Sequence, residues 1–325
     1  MTSKILVTGA AGFIGCETCL KLIERGHTVV GIDNLNEYYP VSLKKNRLDR
    51  LKSPLFQFEA CDLADKKNLE SLFSKHQFEQ VIHLAAQAGV RYSLENPQAY
   101  IDSNITGFLN ILECARMYPV KHLTYASSSS VYGRNTSTPF KTTDITEKPS
   151  SLYAATKKSN ELMAETYNHL FQINATGLRF FTVYGPWGRP DMAPWLFAKA
   201  ILEGNPIKVF NNGNMKRDFT YIDDIIEGVI QVSEVGIQKK NPEHKVYNLG
   251  RGCPIPLLEF IEILEENIGK KAIKTYLPMQ PGDVEITWAD VSDLERDVGY
   301  TPQIDLREGI FNFVNWFKNY HSIGK

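Results

Sequence analysis

The sequence predicts an α/β protein, a doubly wound parallel sheet with a smaller C-terminal α/β lobe. Three observations carry this expectation. Short apolar runs alternate with helix-length stretches through the first half. A glycine-rich turn separates the first apolar run from the first helical stretch, and prolines punctuate the chain from Pro186 onward. At 325 residues the chain is longer than one core usually holds, so a large domain with a second lobe is the natural organisation.

Taken in order, Ile5–Thr8 reads as a strand and Cys16–Arg25 as a helix ended by Gly26. Thr28–Ile32, Phe56–Glu59, Val81–Leu84, His122–Ala126 and Ala175–Phe181 continue the strand series. Strands alternating with helices imply a parallel sheet covered on both faces. Two longer helices are expected over Ala99–Met117 and Tyr153–Gln172, the second with Met163, Tyr167, Leu170 and Phe171 on one apolar stripe. Pro186, Pro190, Pro194 and Pro206, then Pro254, Pro256, Pro278 and Pro281, mark a loop-rich second half, with Val246–Leu249 expected to rejoin the sheet. The expected division is residues 1–183, with a returning segment at about 218–252, against a lobe drawn mainly from 184–325.

Composition excludes several function classes. With 36 basic and 37 acidic side chains, the net charge of −1 offers no field for nucleic acid or a membrane surface. The cysteines, at 16, 19, 61, 114 and 253, are odd in number and scattered; they are expected to be buried, reduced thiols, with no metal site. Met1-Thr2-Ser3-Lys4 runs into a strand without a signal-peptide layout, and no apolar run reaches bilayer-spanning length. The expectation is a soluble, cytoplasmic protein.

Gly9-Ala10-Ala11-Gly12-Phe13-Ile14-Gly15 lies between the first strand and the first helix. Gly9 permits the tight turn, Gly12 lets backbone approach a pyrophosphate, and Gly15 allows close helix packing. Phe13 and Ile14 lead from this turn toward the helix, whose N-terminus offers free N–H groups to phosphates. The spacing is G-x-x-G-x-x-G, and strand, turn, helix and second strand are all in place, as a Rossmann-type dinucleotide site requires. Asp33 closes the second strand, where a carboxylate accepts ribose hydroxyls and repels a 2′-phosphate. Asn34, not an arginine, follows it, so NAD is expected over NADP.

Tyr153 and Lys157 stand at i and i+4, on one helix face. An ammonium beside a phenol favours the phenolate and makes it a base at neutral pH. That spacing alone means little in a chain with 15 tyrosines. Its place gives it meaning, for the helix opens some 25 residues after Ser127-Ser128-Ser129-Ser130, which follows a strand, and strand ends in such sheets border the ligand crevice.

With these motifs the chain resembles the extended short-chain dehydrogenase/reductase family. Within it the sequence is similar to the nucleotide-sugar epimerases, most of all those acting on UDP-glucuronate at C4. Gly9, Gly12, Gly15, Asp33, Ala60-Cys61-Asp62-Leu63, Leu84-Ala85-Ala86, Asn104, Tyr153 and Lys157 match the family's NAD-binding positions. The resemblance implies Asp62 and Leu63 near the adenine, Ala85 and Ala86 along the cofactor, and Ser128 as the catalytic hydroxyl beside Tyr153 and Lys157. The finer likeness rests on four stretches: Asp33–Tyr39, Gln87–Ser93, Tyr184–Ala193 and Gln280–Val284.

For a UDP-sugar, the resemblance implies Arg217, in a phosphate-binding turn Lys216-Arg217-Asp218-Phe219, with Arg189 as a second cation. It places Asp283 at the uridine ribose and Val209-Phe210 at the uracil. A surface ion pair with Asp218 or Asp223 is the alternative for Arg217. Gln280 stands where relatives acting on neutral sugars carry arginine. Ser128, Ser129, Ser130 and Thr182 are the expected donors to a sugar carboxylate, and Arg91 is an open candidate for clamping it. His83 is read as structural. Sugar dehydratases of this family carry Thr-Asp-Glu at the serine run and UDP-glucuronate decarboxylases Thr-Ser-Glu; Ser128-Ser129-Ser130 has no carboxylate. The expected chemistry is C4 epimerisation through a transient 4-keto sugar, in a homodimer. The alternatives are a 4-epimerase for another UDP-hexose or UDP-N-acetylhexosamine, a decarboxylase, or a non-catalytic NAD-sensing module.

Overall fold

A computed structural model describes residues 3–280 and 282–322. Met1 and Thr2, and Pro281 of the fourth motif stretch, lie outside the described residues. Strand β1 (Lys4–Thr8) leads through the glycine turn into α1 (Phe13–Glu24), and β2 (Thr28–Asp33) into α2 (Val41–Asp49). β3 (Phe56–Ala60), α3 (Lys66–His76) and β4 (Gln80–His83) complete the first half of the winding. Three helical pieces follow: α4 (Tyr92–Glu95), α5 (Pro97–Tyr100) and α6 (Gly107–Met117). β5 (His122–Ser128), α7 (Leu152–Phe171) and β6 (Ala175–Phe180) then build the catalytic side. The large sheet has the order β10-β6-β5-β4-β1-β2-β3, with every pairing parallel. β10 (His244–Leu249) is its edge strand beside β6. The order reverses between β1 and β4, and the carboxyl ends of these strands border the crevice where such sheets hold ligands.

The smaller lobe uses β7 (Thr182–Tyr184), α8 (Ala193–Glu203), β8 (Ile207–Phe210) and β9 (Lys216–Tyr221). From there α9 (Ile222–Gly236) runs back along α1 and the large sheet. β11 (Pro254–Pro256), α10 (Leu257–Ile268), β12 (Lys274–Leu277), α11 (Ser292–Val298) and α12 (Leu306–Tyr320) complete the chain. β11-β9-β7 form one small sheet and β12-β8 another. Asp218 joins these segments. Its buried carboxylate accepts N–H groups from Arg251 (2.8 Å), Gly252 (3.0 Å) and Ala289 (3.0 Å). No helix among the described residues is long and apolar enough to cross a membrane.

Three expectations are corrected here. The helix expected over Ala99–Met117 is broken: α5 passes into a π-helical turn, Ile101–Thr106, before α6 begins. The Gly107 N–H reaches back five residues to the Asp102 carbonyl, and a Cβ at Gly107 would stand 2.7 Å from Leu63 Cβ, so the wide turn brings the chain against Leu63. The stripe on α7 divides: Met163 and Tyr167 pack inward, whereas Leu170 and Phe171 are exposed. The buried face of α7 is Ala154, Thr156, Lys157, Asn160, Glu161 and Ala164, mostly polar and distinct from the apolar stripe. Four cysteines are buried, but Cys253 is exposed, in the loop before β11.

Candidate active site

The dinucleotide side is made largely of backbone. Gly9 has φ +74°, and a Cβ on it would approach the Ala85 nitrogen to 2.9 Å. A Cβ at Gly15 would stand 2.0 Å from the Gly9 carbonyl oxygen, so Gly15 packs on the loop itself. Gly12 is the N-cap of α1 and supplies no side-chain cap. The N–H groups of Phe13, Ile14 and Gly15 therefore precede the first intrahelical bond, Cys16 to Gly12 (3.1 Å), and face outward as an anion cradle. The Asp33 carboxylate is held by the N–H groups of Ala11 (3.2 Å) and Leu35 (2.8 Å), which leaves lone pairs for two hydroxyls. These features fit a dinucleotide.

A cation was missed beside Asp33. Lys44 Nζ lies 3.9 Å from its carboxylate and donates to Asn36 Oδ1 (3.1 Å). Its helix, α2, has few apolar residues, and that was the signal available. Asn34 and Asp62, expected at the ribose and adenine, bond each other (2.9 Å), and Asp62 also accepts the Ala64 N–H. Leu63 is buried, and its carbonyl accepts from Asn110 (2.8 Å). Leu84 and Ala85 donate their N–H groups to Thr8 Oγ1, and Ala86 follows on the same loop. Asn104 is buried and committed to the Gln87 backbone and to Thr156 Oγ1 (3.1 Å), so it acts as a bracket for the loop after β4. His83 bonds Thr8 (2.9 Å), and burial pulls it down to about 3, leaving it neutral.

At the carboxyl end of β5, Ser128 Oγ accepts the Ser130 N–H (3.1 Å) and caps the short 3₁₀ turn Ser129–Tyr132. Ser129 and Ser130 are half-buried. Tyr153, one residue into α7, packs edge-on against Tyr100. Burial pushes its phenol above the ordinary value, while the Ser128 side chain and the Arg189 charge pull it back. Lys157 is buried with Nζ donating to the Ala126 carbonyl (2.8 Å), and burial pulls it down to about 7. Burial thus disfavours both the phenolate of Tyr153 and the ammonium of Lys157 in the protein alone.

Behind this centre lies a buried ion pair that sequence reasoning missed. Glu161 and Arg179 form two bonds, of 2.8 and 2.9 Å. Ser127 donates to Glu161 (2.7 Å), and Arg179 donates to Tyr132 (3.0 Å). Such a fork fixes β5, β6 and α7 relative to one another.

The substrate side draws on separate loops. Arg91 Nη2 lies 3.5 Å from Asp283, and its guanidinium sits 5.2 Å from the Phe210 ring centre. Arg217 feels the Asp283 charge and donates to the carbonyls of Lys216 (2.9 Å) and Glu285 (3.2 Å). Arg91, Phe210, Arg217 and Asp283 are thereby gathered into one cluster. The expected turn Lys216–Phe219 is strand β9, and consecutive residues face opposite ways. Asp218 accordingly points inward and forms no ion pair with Arg217. Val209 is fully buried in β8, so only its backbone can meet a ligand. Thr182 opens β7, half-buried. Arg189 pairs with Asp191 (Nε to Oδ1, 3.0 Å), and Tyr38 also donates to Asp191 (3.0 Å). Among the described residues no group of three or more His, Cys, Asp or Glu side chains is placed to hold a metal ion.

Comparison with known proteins agrees with this geometry. The profile of the NAD dependent epimerase/dehydratase family matches residues 5–250. Protein CapI of Staphylococcus aureus is 52% identical, covering 98% of this chain and 99% of its own. UDP-glucuronate 4-epimerase 4 of Arabidopsis thaliana is 48% identical, over 98% of this chain and 76% of its own. The crystal structure of UDP-glucuronic acid 4-epimerase from Bacillus cereus, in complex with UDP-glucuronic acid and NAD, superposes with a TM-score of 0.91 at 37% identity, covering 98% and 99% of the two chains.

Proposed function

The chain belongs to the NAD dependent epimerase/dehydratase family, and from that membership we propose that it interconverts UDP-glucuronate and UDP-galacturonate with a resident NAD. The observation that carries the reading is the end of β5, where Ser128, Ser129 and Ser130 put hydroxyls beside Tyr153 and no carboxylate. Glu161 and Asp191, the acids bonded into this neighbourhood, are each held by an arginine. Relatives and structural neighbours named UDP-glucuronate 4-epimerases support the same substrate.

NAD, held by Gly9–Gly15, Asp33 and the loop after β4, supplies a reversible hydride acceptor of positive charge. Tyr153 would take the proton of the sugar's C4 hydroxyl as C4 gives up its hydride, and would return that proton to the C4 oxygen when hydride comes back to the opposite face of the turned-over keto sugar. Ser128 orients that hydroxyl, and Lys157, in its ammonium form, favours the phenolate. The intermediate is a 4-keto sugar whose carboxylate, on C5, is prone to leave as CO₂ if its bond aligns with the carbonyl π-system. Ser128–Ser130 and Thr182 donate to that carboxylate and hold it out of alignment. Asp283 serves the uridine ribose, Phe210 the uracil, and Arg217 and Arg189 the diphosphate. Arg91, beside Asp283 and Phe210, belongs with the nucleotide and is not the carboxylate clamp. Residues 1–183 with 218–252 are assigned to NAD, and the rest of 184–325 mainly to the UDP-sugar.

The protein acts in the cytoplasm as a homodimer, in which Leu109 and Met117 on α6 and Leu162, Leu170 and Phe171 on α7, all exposed, pack against their two-fold mates. Only a monomer-sized species in light scattering would refute the dimer. The activity is tested with UDP-glucuronate carrying carbon-13 at C6, followed by NMR. The label is expected in UDP-galacturonate with little in bicarbonate. Predominant UDP-pentose, or no reaction beside brisk turnover of UDP-glucose, would overturn the reading.

A further inference from the structure

Helix α2 buries Leu43, Lys44 and Arg47, so two of its three buried side chains are cations. Arg47 has no solvent exposure, and all five of its N–H donors are used. Nη1 donates to the Ala11 carbonyl (3.1 Å) and to the Tyr39 hydroxyl (2.8 Å). Nε and Nη2 both donate to the Trp187 carbonyl (3.1 and 2.6 Å), and Nη2 also to the Gly188 carbonyl (3.0 Å). None of these acceptors is a carboxylate. A buried guanidinium kept without a counter-charge is costly, so its bonds are where its use is to be sought.

Those bonds join the two halves of the site. Ala11 belongs to the glycine loop, whereas Trp187 and Gly188 immediately precede Arg189. Trp187 adopts φ +63°, a left-handed conformation that a bulky residue keeps only when its surroundings impose it. Arg47 grips the carbonyl of that residue twice. Arg50, one turn on, lies over the Trp187 ring at 4.8 Å and is paired with Glu17 on α1. The direction in which the chain leaves Trp187 decides where Arg189 stands, and the Arg189 charge reaches Tyr153.

We infer that Arg47 is a positioning residue that locks Trp187 in its left-handed form and so ties Arg189 to the cofactor loop. The inference rests on the reading of the site given above. A lysine preserves the charge but lacks the rigid fork, and one ammonium cannot serve Ala11 and the Trp187–Gly188 carbonyls together.

The test is equilibrium dialysis of UDP-glucuronate against the NAD-loaded protein in a Tyr153→Phe background, where binding is free of turnover. Arg47→Lys is expected to weaken binding at least tenfold with bound NAD unchanged. Added to Arg189→Ala, it should weaken binding by no more than a further twofold, because both changes disable the same contact. Parent-like affinity in Arg47→Lys, loss of NAD in place of substrate affinity, or full multiplication of the two effects overturns the inference. Absence of any UDP-glucuronate binding before Arg47 is changed overturns the reading of the site and this inference with it. If Arg47→Lys does not fold, Tyr39→Phe, which removes one of the five bonds, is expected to weaken binding two- to fivefold at an unchanged melting temperature; unchanged affinity overturns the inference.

Discussion

The cofactor side and the nucleotide-sugar side of this site are built by different means. The first is made of backbone: a left-handed Gly9, the open N–H groups of α1 and a loop after β4 held by Thr8 and Asn104. Its residues are close in sequence to the strands that carry them. The second is made of side chains on loops and edge strands, with Arg91, Phe210, Arg217 and Asp283 meeting across nearly 200 residues. A backbone site is fixed by folding, so damage to it is damage to the fold. A side-chain site is laid on a finished fold, so damage to it is lost affinity.

The largest effect is expected at the seam between the two sides. Tyr153→Phe should lower turnover by roughly 10² to 10⁴ while NAD stays bound, since the phenol hydroxyl does proton transfer and the ring only packs. Turnover within a factor of a few of the parent, with the cofactor measured after gel filtration, would remove Tyr153 as the base. Next, Arg217→Ala should raise KM for the UDP-sugar by about tenfold to a hundredfold, the worth of a charge-assisted bond, without lowering the urea midpoint. A large fall in stability there would erase the contrast drawn above. Gly15→Ala tests the other side: its methyl group has no room beside the Gly9 carbonyl, so about 1–3 kcal/mol of stability should go together with bound NAD. A stable variant that had merely lost affinity would contradict the backbone account.

The remaining effect is a pH dependence. Folded Lys157 is held at about 7 against 10.5 for an ordinary lysine. Between those values the unfolded chain binds the proton and the folded chain does not, so this group makes stability rise with pH from about 7 to 10.5. Below about 7 its full penalty applies. The advantage of Lys157→Met over the parent in urea unfolding should therefore be greatest near pH 7 and shrink toward pH 10; an advantage that grew with pH would contradict it.

The parallel sheet was legible because most of its inner strands are short, largely apolar runs and the glycine turn announces itself locally. The inner face of α7 was not, because it is polar: Lys157, Asn160 and Glu161 are buried for bonds that lie on β5, β6 and the π-helical turn. The break within Ala99–Met117 is not visible in the sequence because a π-turn keeps good helix formers in place and alters only the phase of the spiral. Arg47 left no trace in local pattern, since its partners at Trp187 and Gly188 are some 140 residues away. Side chains whose partners come from distant loops are fixed by tertiary packing alone, and the substrate side consists almost entirely of these.

The chain does not visit the smaller lobe once and leave. It passes out after β6, returns along α9, joins the large sheet as β10 and departs again into β11. Lobes stitched together at several points have no single hinge about which to swing, and neither can unravel while its neighbour stays intact. Heating should then give one calorimetric transition. A protease that nicks any one of these connections should leave the two parts clinging together, and they should separate only when denaturant is added.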